Sequence, residues 1–177
     1  MHAGHWAVWL RHCYIAAVHD EPDPSVEPAR WVALAEELTA RPFPTTPTGA
    51  DNWVVGQAQS GPDRHFAPLA SSEILEDAPG ERWAEVEDDF ERRRGAVVST
   101  LTAAWGEPQT YSFDRDFDRL IAGEALPTVI QDLTYCSFGH HADTWRRGDR
   151  TVCVVLGQVD KHFPIMVLLA VIMQPLP

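Results

Sequence analysis

The chain has 177 residues, 45% of them hydrophobic and seven of them tryptophan, enough for one domain with its own core. Length and composition exclude global disorder and any need for a metal or disulfide staple. The net charge of −12 lies in residues 1–91, 17 acids against 5 arginines, while residues 92–177 balance at zero; an acidic side of this kind repels nucleic acid and anionic membranes and attracts cationic partners.

Residues 2–18 place Trp6, Trp9, Leu10, Cys13 and Ala17 at helical spacing, and Trp6, Val8, Leu10, His12 and Tyr14 at strand spacing; a helix is favoured. The stretch lacks the cationic region and cleavage site of a signal peptide. Residues 19–28, with Pro22, Pro24 and Pro28, read as a connector. Pro28 suits a first helical turn. Trp31, Leu34, Ala35 and Leu38 then fall at i, i+3, i+4 and i+7, and Pro42 ends that helix. Residues 41–49, with three prolines and three threonines, are a loop. A short strand is expected over residues 53–58 and irregular chain over 61–72.

The longest helix is expected over residues 80–105, with Trp83, Val86, Phe90, Val97, Leu101 and Trp105 on one stripe. Asp88–Arg92 and Asp89–Arg93 are i,i+4 pairs in the favourable order, each worth ~0.3 kcal/mol. Gly95 weakens the middle by about 1 kcal/mol relative to alanine and is the place for a kink, and Gly106 and Pro108 supply the stop. Shorter helices follow over residues 114–122 and 126–133.

The last third is rich in β-branched and aromatic residues over 144–147, 151–158 and 163–173. Arg147-Gly148-Asp149 and Val159-Asp160-Lys161-His162 punctuate it, giving an antiparallel meander with two tight hairpins. Cys153, Val155 and Val159 alternate with Val152, Val154 and Leu156, and both sets are apolar. The last two strands therefore belong in the middle of a sheet, covered on both faces. The expected fold is one α+β domain over residues 1–177, with helices from the first two-thirds packed on one face of a small C-terminal antiparallel sheet.

Few residue patterns carry chemistry. Asp114, Asp116 and Asp118 begin like a calcium loop, but Arg119 and Ala125 stand where glycine and glutamate are required. Helix-terminal acids favoured by the macrodipole explain them better. His140 and His141 have no metal-ligand spacing, so no metal and no cofactor is expected. Asp160 and His162 form an acid–base pair on a polar turn. Cys136 is a better nucleophile candidate than Cys153, which lies inside an apolar strand. If the chain is an enzyme, His140, His141, Asp160, His162 and Cys136 are the catalytic candidates.

Three widely spaced cysteines point to a reducing cytoplasm, and thirteen arginines against one lysine to a GC-rich bacterial genome. The longest apolar run, residues 165–173, is too short to span a membrane. The function expected is a small acidic cytoplasmic binding or inhibitor-type protein. Like immunity proteins and antitoxins in type, it would mask a basic protein partner through Glu73, Glu81, Glu85, Asp88 and Asp89. The alternatives are a small-molecule enzyme with a pocket between sheet and helices, and a structural subunit of a larger complex.

Overall fold

The computed structural model describes residues 27–48, 58–137, 139–173 and 176. The helix expected over 2–18 lies outside them, as does the strand expected over 53–58 except for Ala58, which belongs to no strand. The described residues form an α+β fold of four helices and six strands. In chain order these are α1 (Glu27–Ala40), β1 (Gln59–Gly61), β2 (Arg64–Ser71), α2 (Gly80–Trp105), β3 (Gln109–Ser112), α3 (Asp114–Ile121), α4 (Thr128–Cys136), β4 (His141–Arg147), β5 (Arg150–Gly157) and β6 (Met166–Ile172). All pairings are antiparallel, in the order β1-β2-β6-β5-β4-β3.

The three C-terminal strands form the expected meander, and β5 and β6 are the central pair of the sheet, buried throughout except at Arg150. Side chains of a strand alternate between faces. Val152, Val154 and Leu156 of β5, with Val167, Leu169 and Val171 of β6, therefore meet α1 and α2 through Ala35, Leu38, Val86, Phe90, Val97 and Leu101. Cys153 and Val155, with Met166, Leu168, Ala170 and Ile172, meet Val129, Ile130 and Leu133 of α4 on the other face. The helices thus cover both faces, not one. An apolar stripe on one helix can hide only one face, so a strand pair apolar on both requires two helical layers.

Three other expectations change. Residues 61–72 are not irregular, because they contain β2. Pro68 lies beyond the residues that β1 pairs, 64–66, so its missing N–H takes no bond from that ladder among the described residues. A register shift between Pro68 and Ala70 absorbs the extra residue. Of the two hairpins only β4–β5 is tight: Gly148, at φ 65°, opens a two-residue turn between Arg147 and Arg150. The β5–β6 connection runs over residues 158–165, and β6 starts after Pro164, which has no N–H to give the ladder. Strand β3, which was not expected, closes the far side of the sheet.

Helix α2 has the predicted bounds and runs through Gly95 as one helix. Its middle is tied to the sheet by Arg94, which bonds Asp143 of β4 and Glu91 one turn back. The β4–β5 turn holds α1 in turn. Arg150 donates to the carbonyls of Leu38 (3.1 Å) and Arg41 (2.6 Å), supplying the cation that the last turn of α1 lacks. Arg150 also lies 4.2 Å over the Phe43 ring, and Phe43 stacks on His65 at 4.7 Å.

Candidate functional site

The register gathers the catalytic candidates at one end of the sheet. Ser71 and Gly157 both pair with Met166, and Ser112 pairs with His141. The chain segments 72–79, 158–165 and 139–140 therefore leave the same edge of the fold. The candidates nonetheless stand in separate hydrogen-bonded pairs. His140, at φ 54°, holds Asp114 through Nδ1 at 3.1 Å and lies against Phe117. Asp114 is held below the usual carboxylate range, first by the Ser112 hydroxyl and then by His140. His141 turns the other way, Nδ1 to the Gly139 carbonyl at 3.1 Å. His162 bonds Glu76 (2.8 Å) through Nδ1, with Asp160 3.7 Å from Nε2. The backbone N–H of His162 caps Asp160, as in an ordinary polar turn.

Cys136 is removed from the nucleophile candidates. Its side chain, on the last residue of α4, is wholly buried, its thiol faces the Leu133 carbonyl, and burial pushes its pKa far up. Burial likewise pushes the Cys153 thiol up to about 12. Among the described residues no three His, Cys, Asp or Glu side chains converge as a metal site.

The acidic residues form a ridge from the 72–79 segment into α2. Leu75 anchors the segment in the core, and its carbonyl accepts the Trp83 indole N–H at 2.9 Å. Ser72 ties it to Ile165, donating its backbone N–H and accepting that of Ile165 on Oγ. Glu73 and Glu85 share Arg82 at 2.9 and 3.3 Å. The expected Asp88–Arg92 pair is replaced: Asp89 takes both Arg92 (3.1 Å) and Arg93 (2.8 Å). Glu81 and Asp88 are exposed, with no ion pair among the described residues. In the same segment Ile74 is 58% exposed between Glu73 and Glu76, with Leu75 turned inward beside it.

A third cluster went unrecognised in the sequence. Asp116 is only 4% exposed, although it lies in the first turn of α3. The Tyr111 hydroxyl donates to its Oδ2 at 2.5 Å, and Arg119 stands 3.4 Å from Oδ1 while also bonding Glu124. Burial, then the bond to Asp116, pushes the Tyr111 phenol well above its usual range. These groups border an open cavity of about 500 Å³, lined by Thr110, Tyr111, Ser112, Arg115, Asp116 and Arg119. The available signal was Asp116–Arg119 at i,i+3 behind a tyrosine, but Arg115–Asp118 has the same spacing, so the sequence does not single Asp116 out.

No helix among the described residues is long and apolar enough to cross a membrane. The chain matches no family model, no curated protein and no solved structure.

Proposed function

We propose that the chain is a small binding protein of the inhibitor type, acting in the bacterial cytoplasm, whose acidic ridge docks and masks a basic protein partner. The observation that carries this reading is Ile74, an exposed apolar side chain between Glu73 and Glu76 in the segment that Arg82 ties to α2 through Glu73 and Glu85. An apolar anchor beside acidic residues is what a salt-steered interface needs. The charges speed encounter and the anchor slows release. Glu81 and Asp88 carry the steering, because Asp89 is occupied by two arginines and Glu73 and Glu85 share a third. The enzyme reading has less support, since the histidines stand in separate pairs and Cys136 is closed to solvent.

The test is a pull-down from native lysate followed by binding kinetics at two salt concentrations. Glu81→Lys with Asp88→Lys slows association about tenfold at low salt and much less at high salt. Ile74→Ala leaves association unchanged and speeds dissociation. If no basic partner is recovered, or the double reversal leaves the association rate untouched, the ridge serves solubility alone.

A further inference from the structure

Strand β3 ends the sheet and pairs only with β4, so its other edge bears backbone donors and acceptors that no described strand uses. Thr110, Tyr111 and Ser112 all line the cavity beside it. Successive strand residues point to opposite faces, so a hollow touched by all three follows the strand's outer edge. Its other wall is α3, through Arg115, Asp116 and Arg119.

The charges along this wall do not cancel. Asp116 spends one oxygen on Tyr111 and the other on Arg119, and Arg119 is balanced again by Glu124. Asp114 is engaged by Ser112 and His140, and neither Asp114 nor Asp118 lines the cavity. Arg115 is exposed and has no ion pair among the described residues. One guanidinium is thus left over. A single carboxylate balances it in a two-pronged hydrogen bond, whereas a phosphate dianion would keep an uncompensated charge beside Asp116.

We propose that this edge binds the C-terminal carboxylate of an extended peptide, with Arg115 as counter-ion and the peptide backbone added to the sheet beside β3. Main-chain pairing supplies affinity and the carboxylate supplies polarity and register. A cavity of about 500 Å³ accommodates the last residues of such a chain. The site is separate from the acidic ridge and does not depend on it.

The experiment is a nuclear magnetic resonance titration of the full chain with three probes. They are an acetylated Thr-Val-Thr-Val peptide with a free C-terminus, its C-terminally amidated twin, and sodium acetate. The free-acid peptide gives saturable shifts at the amides of residues 110–112 and at the Arg115 side chain. Amidation, or Arg115→Gln in the protein, weakens that response about tenfold. Because Arg115 is exposed, the rest of the variant's spectrum stays unchanged. No saturable shift, or equal binding of the amidated peptide, overturns the proposal. So does acetate that reproduces the full response at the same concentration, which makes the cavity a simple anion site.

Discussion

The bond between Arg94 and Asp143 joins the middle of α2 to β4, and its removal has a calculable cost. Both side chains are only 14% exposed, and Asp143 lies on the same strand face as Trp145, towards α2. Two unit charges in contact near a protein surface attract by about 4 kcal/mol at an effective dielectric constant of 20. In Asp143→Ala the guanidinium stays nearly buried and keeps Glu91, bonded at 2.6 Å, as its one carboxylate. That remaining partner halves the loss, so the expected destabilisation is about 2 kcal/mol, below the 3–5 kcal/mol of a fully orphaned buried charge. For a chain of this length it corresponds to a fall of about 4–8 °C in Tm. Replacing both partners, as Arg94→Met with Asp143→Leu, removes the buried charge with its counter-charge and stays within about 1 kcal/mol of the parent. Urea unfolding followed by tryptophan fluorescence measures all three proteins. A loss under about 0.5 kcal/mol in Asp143→Ala would show that water screens the pair. A double variant worse than the single would show that α2 needs this ion pair to dock.

Two further changes probe the packing and the pH response. A Cβ on Gly157 lies 2.9 Å from the Cys136 carbonyl oxygen, where Gln158 N–H bonds that same oxygen, so Gly157→Ala costs about 1–3 kcal/mol in urea unfolding. Gly80→Ala, whose Cβ meets nothing within 4 Å, serves as the unstrained control; an equal loss in both refutes the clash. His65 is wholly buried, between Ser60 Oγ at 2.7 Å and the Arg41 carbonyl at 3.2 Å, and burial holds its pKa below 6.5, with the Arg41 and Arg150 charges acting in the same direction. The unfolded chain therefore binds this proton first. Stability from neutral His65 is complete above pH 6.5 and is lost as the pH falls from there toward the lower folded value. Unfolding midpoints between about pH 7 and 5 should show this slope and lose it in His65→Gln; an unchanged slope in the variant rejects it.

What the sequence determined by itself is what depends on neighbours along the chain. The α2 stripe from Trp83 to Trp105 repeats at helical spacing and meets Gly106 and Pro108, so both ends of the helix were legible. The doubly apolar runs of β5 and β6 announced central strands, because no other place in a fold hides both faces. The edges of the sheet were not legible. Strand β2 carries a proline beyond the residues that β1 pairs, followed by a register shift, and β3 is four mostly polar residues held by pairing with β4. The candidate sites divide in the same way. Acid content along residues 73–89 is plain in the sequence. That Asp89 is consumed by two arginines, and that Ile74 faces water while Leu75 faces the core, is settled only once the segment is anchored between α2 and Ile165. Arg94 and Asp143 stand 49 residues apart, and Arg150 reaches Leu38 across 112. Such partners are chosen by which helix lies on which face of the sheet. That choice is made by burial of the whole apolar surface at once, which no local pattern encodes.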